Sequence, residues 1–279
     1  MNTVKLNNGI EMPQMGYGVY QVSPAECERC VSDALSVGYR MIDTAQAYHN
    51  EEGVGNAVRK SGIDRKEIFL VSKIWISNYG YDKAKASIDE SLRRLQTDYI
   101  DLMLLHQPFC DRYGAYRALE DAYKEGKLHA IGVSNFYPDH FIDIASNMEI
   151  VPAVNQVETH VFNQQVEAQR IMEEFGTRIM SWGPFAEGRN GFFTNPILAD
   201  IGHKYGKSVA QVALRWLIQH GVIIIPKSTH VERMRQNIDI FDFSLSDGDM
   251  RTIATLDTGK SLFFNHHDAE TARMFMGWR

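Results

Sequence analysis

Short apolar runs punctuate the chain: "MGYGVY", "YRMID", "IFLVSK", "IDLMLLH", "HAIGVS", "AVNQV", "IMSW" and "VIIIP", eight in all. Each has strand length, and its apolar residues are consecutive more than alternating, the pattern of a strand covered on both faces. Between the runs the period lengthens. In "DKAKASIDESLRRL", Ala84, Ile88, Leu92 and Leu95 form one helical stripe, while Lys83, Asp89, Glu90 and Arg93 lie elsewhere. An amphipathic helix with its polar side in water is predicted. Glycines at 38, 62, 126, 176 and 221 each stand between such a helix and the next run, where a left-handed residue ends a helix without Cβ strain.

Buried strands alternating with helices call for a parallel sheet, and eight such units close into a (β/α)₈ TIM barrel. An open doubly wound sheet is disfavoured, because Gly16-Tyr17-Gly18 is followed by Val19, Tyr20 and Gln21, so the dinucleotide fingerprint lacks its third glycine. Ahead of the barrel, "VKLNNGIEMPQ" places Asn8-Gly9 between two short extended runs, predicting a hairpin whose two central residues both take positive φ. With 279 residues and no low-complexity linker, a single domain over residues 1–279 is expected. The long "GPFAEGRNGFFTNP" reads as a loop that is either mobile or folded over a ligand.

Composition narrows the function classes. Hydrophobic residues make up 44%, charged residues 23%, and the formal net charge is -6, which argues against a general affinity for nucleic acid or anionic membranes. The start "MNTVKLNNGI" lacks a signal-like apolar core and no run is long enough to span a bilayer, so a soluble, cytoplasmic protein is expected. Three cysteines are too few for a disulfide scaffold; Cys27 and Cys30 form a CxxC inside a helical pattern with no second pair, and read as helix residues. The pair His266-His267 lacks companions at ligand spacing and reads as a polar loop, so no metal is expected.

Ionisable residues recur at the ends of the runs. Asp43 ends the second, Lys73 the third and His106 the fourth, and Tyr48 lies on the loop after Asp43. Taken alone, each has a bland reading: a helix cap, a solvated charge, a satisfied histidine, a surface phenol. Together they converge over the rim of a barrel where catalytic groups sit, in a register set by the hydrophobic runs. A phenol is a reluctant acid with a pKa of about 10, but a neighbouring ammonium favours phenolate. Lys73 is expected to supply that cation, Asp43 to hold it, and His106 to orient a substrate oxygen. Such a set suits protonation of a carbonyl oxygen, and the two electrons must then come from a hydride cofactor.

The chain resembles the aldo-keto reductases along essentially its whole length, through "GYGVYQ", "DTAQAYHNEEGVG", "VSK", "LLHQP", "IGVSNF", "NQVE", "SWGPF" and "IPKSTHVERMRQN". The resemblance implies a catalytic tetrad of Asp43, Tyr48, Lys73 and His106, with Tyr48 as general acid. It also implies a nicotinamide cofactor bound at the barrel mouth without a Rossmann fold. Ser134, Asn135 and Gln156 fall on the positions that hold the carboxamide, and Trp182 on that of the stacking ring, where tyrosine is common. Gly183 and Phe185 belong to the loop over the pyrophosphate; Glu187 stands where a related position often has glutamine. After the eighth run, Thr229 and Glu232 have capping-box spacing, so a helix is expected to start near Thr229. Lys227, Ser228, Arg233 and Asn237 surround that start, and the resemblance gives them the adenosine end and its 2′-phosphate, which implies NADPH/NADP+ over NADH. His230 stands where some relatives carry arginine.

The substrate pocket is expected to involve Tyr20, Trp75, Ile76, Phe109 and Phe136, with a C-terminal tail that brings Phe263, Phe264 or Trp278 to the mouth. Gln107 replaces a tryptophan common in the family. The nearest resemblance, to the diketogluconate and methylglyoxal reductase type, implies small polar or α-dicarbonyl substrates; a monomer or weak homo-oligomer is expected. Two other readings are a regulatory subunit that binds NADP with little turnover, and a Schiff-base aldolase using Lys73.

Overall fold

The computed structural model describes residues 2–279. A hairpin, β1 (Thr3–Lys5) and β2 (Glu11–Pro13), precedes β3 (Tyr17–Gly18), β4 (Met41–Asp43), β5 (Phe69–Ile74), β6 (Leu102–Leu105), β7 (Ile131–Ser134), β8 (Val154–Glu158), β9 (Arg178–Trp182) and β10 (Ile223–Ile224). The last eight pair in sequence order, each parallel to the next. A parallel bridge between Met15 and Ile224 joins the two ends, with Gly16 N donating to the Ile224 carbonyl at 2.8 Å. The sheet is thereby a closed barrel.

Its helices are α1 (Pro24–Val37), α2 (Glu51–Lys60), α3 (Tyr81–Leu95), α4 (Arg112–Lys124), α5 (Pro138–Asn147), α6 (Val166–Glu174), α7 (Pro196–Tyr205), α8 (Val209–Gln219), α9 (Val231–Ile238), α10 (Asp247–Ala254) and α11 (Ala269–Met276). All five glycines singled out in the sequence have positive φ. The stripe on α3 is Ala84, Ile88, Ser91 and Leu95, with Leu92 only half-buried. Among the described residues no helix is long and apolar enough to cross a membrane.

Two cores fill the fold. Met41, Phe69, Val71, Leu102, Leu104, Val154, Met180 and Ile223 pack with Leu6 and Met12 of the hairpin segment. The intervening Ile42, Leu70, Met103, Leu105 and Ile179 join the helices in the second core. Side chains alternate across a strand. Continuing the first set by two positions therefore sends Asp43, Lys73, His106, Gln156 and Trp182 toward the barrel axis at the C-terminal rim.

The hairpin forms, but not with the expected turn. Gly9 has positive φ and Asn8 does not; Leu6 N donates to Ile10 O and Gly9 N to Leu6 O, each at 2.9 Å. The extra residue makes a bulged turn in which one left-handed position suffices.

Candidate active site

The site is built around Lys73, whose side chain is fully buried beside Asp43. Its Nζ donates to Asp43 Oδ1 at 2.7 Å and the Thr44 carbonyl at 2.9 Å, and lies 3.4 Å from the Tyr48 hydroxyl. Those three contacts use all the donors an ammonium has. The second oxygen of Asp43 accepts from Gln156 Nε2 at 2.8 Å. Tyr48 sits in a single 3₁₀ turn, Gln46–Tyr48, held to the barrel by Asn50, which accepts from the Thr44 hydroxyl at 2.8 Å and donates to the Val19 and Val22 carbonyls.

His106 meets both Tyr48 and Trp75 edge-on, at ring centroid distances of 5.6 and 5.1 Å. Burial, reinforced by the charge of Lys73, holds its imidazole well below the usual range, so the ring is neutral. Its Nδ1 is enclosed without a hydrogen-bond partner. The expected acidification of Tyr48 does not emerge. Burial, then the charges of Asp43 and Tyr20, push the phenol well above its ordinary value. Burial lowers Lys73 against the opposing pull of Asp43. Removing a phenolate from water costs more than one neighbouring cation returns when that cation is itself shared with a carboxylate.

The expected nicotinamide-end residues gather beside this group. Ser134 Oγ donates to the Gln156 carbonyl at 2.8 Å. Asn135, at φ 64°, donates from Nδ2 to the His106 carbonyl at 3.1 Å and accepts from Trp182 Nε1 at 2.8 Å. Gly183 follows with φ 63°, and Phe185 packs on Phe192 and Phe193 in the next loop. Beyond β10, Ser228 on the connecting loop and Asn237 on α9 are buried. Lys227 and Arg233 are exposed, and neither has a hydrogen bond or ion pair among the described residues.

The capping box is not there. Helix α9 starts at Val231 with His230 as its N-cap and no side-chain cap. Ser228 Oγ accepts from His230 N at 3.1 Å, and Glu232 accepts from Arg235 at 2.6 Å. The ion pair to Arg235 takes the Glu232 carboxylate that a box would have used, and the chain ahead of the helix closes in a local serine turn.

Of the pocket residues, Tyr20 is 53% exposed and packs 5.1 Å from Tyr48; Phe109 lies against Phe275. Ile76 and Phe136 are buried in the outer core and offer no surface to a substrate. The left-handed Asn135 interrupts the strand alternation before Phe136, and Ile76 already belongs to the turn after β5.

His266 is no polar loop residue. It is buried between Phe109 and Phe275, and its Nε2 donates to Gln107 Oε1 at 2.9 Å. Helix α11 behind it brings Trp278, whose carbonyl accepts from Trp75 Nε1 at 3.1 Å. Sequence reasoning also missed the anchor of the tail. Phe162 N donates to His160 Nδ1 at 3.2 Å, so His160 Nε2 carries the proton toward Glu158, 2.9 Å away. Glu158 in turn accepts from Leu262 N at 2.8 Å and from the Ser261 hydroxyl. Arg189 of the long loop donates to the Leu262 carbonyl and lies over the Phe263 ring at 4.1 Å. The signal available was the apolar content of the tail, with Leu262, Phe263 and Phe264 ahead of His266 and Met274, Phe275 and Met276 after it.

A model described as the Aldo/keto reductase family matches residues 12–258. The chain belongs to that family. The reductase is 47% identical over 257 residues to glyoxal reductase of Bacillus subtilis, a match covering 91% of this chain and 92% of that one. Methylglyoxal reductase DkgA of Escherichia coli is 39% identical over 262 residues, covering 93% and 94%. A crystal structure of a Bombyx mori aldo-keto reductase in complex with NADP superposes with a TM-score of 0.90 at 32% identity, covering 98% and 96%. This aldo-keto reductase is thus an oxidoreductase with the barrel read from its sequence.

Proposed function

We propose that the reductase converts small aldehydes or ketones to alcohols with NADPH, using Tyr48 as the proton donor. The observation that carries this reading is the closed set of contacts on Lys73, with Asp43, Thr44 and Tyr48 around one buried ammonium. Because its pKa is raised, the phenol stays protonated through the neutral range. It donates as negative charge develops on the carbonyl oxygen, and Lys73 meets the phenolate left behind. His106 is neutral, and with Nδ1 enclosed its Nε2 is the nitrogen left to donate to the same oxygen. Full engagement of Lys73 opposes its use as a Schiff-base nucleophile.

The residues present fit a nicotinamide dinucleotide. Ser134, Asn135, Gln156 and Trp182 would hold the nicotinamide end, beneath Gly183 and Phe185. Lys227 and Arg233, free of internal acids beside Ser228 and Asn237, would hold the adenosine end, and two unpaired cations favour a 2′-phosphate. When bound, NADPH supplies the hydride. Relatives named for glyoxal and methylglyoxal reduction support α-dicarbonyl substrates. A single catalytic domain of monomeric or weakly associating chains completes the reading.

Cofactor oxidation over a panel of carbonyls, with NADPH and NADH in parallel, tests it. Turnover of methylglyoxal with NADPH preferred is the expected result. Tight NADPH binding without turnover on any member would replace it with the regulatory-subunit reading, and equal rates with NADH would remove the role given to Lys227 and Arg233.

A further inference from the structure

Tyr48 is carried by a 3₁₀ turn of three residues, too short to hold its own position. The residue that fixes it is inside the turn. Gln46 is 7% exposed and its side-chain amide makes four hydrogen bonds. Oε1 accepts from the backbone N of Trp75 at 3.0 Å and from Asn78 Nδ2 at 2.9 Å. Nε2 donates to the Ser87 carbonyl and to Ser91 Oγ, each at 3.1 Å. Both donors and both lone pairs are used, so the amide has a single satisfied orientation. Ser91 explains itself here: a polar residue sits on the buried stripe of α3 because Gln46 needs a partner there.

The geometry points to Gln46 as a positioning residue for the acid. It ties the turn bearing Tyr48 to the start of the segment bearing Trp75, and those two rings flank His106. Gln46 therefore sets the spacing of the proton donor and the orienting imidazole through the backbone, without touching substrate or cofactor. A side chain that only stabilised the fold would leave the kinetics of the folded protein alone. One that positions Tyr48 lowers kcat and kcat/KM together, because the misplacement is felt in the transition state.

This inference rests on the proposed reduction, so its test has a second arm that does not. In the full chain, Gln46→Met keeps the length of the side chain and removes all four bonds, while Gln46→Glu keeps the acceptor for Trp75 and Asn78. With NADPH and methylglyoxal, Gln46→Met is expected to lower kcat about 10- to 100-fold, with the NADPH dissociation constant within about twofold. Gln46→Glu is expected to recover most of the loss. In a crystal structure of Gln46→Met, the Tyr48 hydroxyl should have left Lys73 Nζ, which it approaches to 3.4 Å in the native chain. Unchanged kcat in Gln46→Met, or equal losses in both variants that track only their folded fraction, overturns the inference. If native protein turns over no carbonyl, the proposed reduction fails, and the Tyr48 position in that crystal structure decides the role of Gln46 alone.

Discussion

Gln156 on β8 and Asp43 on β4 are hydrogen-bonded across the barrel mouth, Nε2 to Oδ2 at 2.8 Å, while the other oxygen of Asp43 holds Lys73. One residue thus joins the expected carboxamide site to the ion pair beneath Tyr48. Gln156→Glu would set a second carboxylate against Asp43, and two such groups share one proton over a raised pKa. Methylglyoxal reduction by this variant should fall as pH rises through that value. Native protein should stay level between about pH 6 and about pH 8, since His106 is held neutral and Tyr48 protonated. Parallel pH profiles check this; superimposable ones contradict the link.

Lys227 and Arg233 are the proposed holders of the 2′-phosphate. Replacing Arg233 by alanine would remove the proposed charge-assisted contact to the 2′-phosphate, worth about 1.5–3 kcal/mol, so the NADPH dissociation constant should rise roughly tenfold or more. NADH binding should be unchanged. Fluorescence titration with each cofactor measures both.

Much of this arrangement was legible because the apolar runs mark the strands and their ends, and side chains alternate along any strand. The same inward series that buries Met41, Val71 and Leu104 delivers Asp43, Lys73 and His106 to one rim. What the pattern could not show depends on long-range pairing. Nothing local marks Gln46 as the partner of Ser91, or His266 as the partner of Gln107, 159 residues away. Thr229 and Glu232 have the right spacing, but the helix starts one residue later, at Val231 after His230, and Glu232 pairs with Arg235. The acidity of Tyr48 was misjudged because burial, which outweighs Lys73, cannot be read from neighbours in sequence.

The glycines of "NEEGVG" have a packing reason. A Cβ on Gly55 would stand 2.6 Å from the Leu95 carbonyl, where α2 crosses the end of α3. Backbone on both sides cannot yield cheaply, so Gly55→Ala should cost about 1–3 kcal/mol and loosen the element next to Tyr48. Chemical unfolding measures the cost. An unchanged midpoint would mean the helices can separate freely.

Burial holds His266 at about 4, despite the opposing charge of Glu158, against about 6.5 when unfolded. Its folded value is depressed, so its contribution is complete above the unfolded value and is lost as pH falls toward the folded one. Between about pH 7.5 and about pH 5 the loss is about 2 kcal/mol. His266→Phe removes this titration. Its stability deficit relative to native protein should therefore shrink by about that amount over the interval, and a constant deficit would contradict the buried neutral imidazole.

In the proposed reduction Tyr48 donates the proton. Tyr48→Phe keeps the ring beside Tyr20 and His106 and removes only the hydroxyl. Single-turnover reduction of methylglyoxal by the NADPH complex of this variant should slow by about 10²- to 10⁴-fold, with NADPH bound as tightly as by native protein. A rate within a few-fold of native would show that another group delivers the proton.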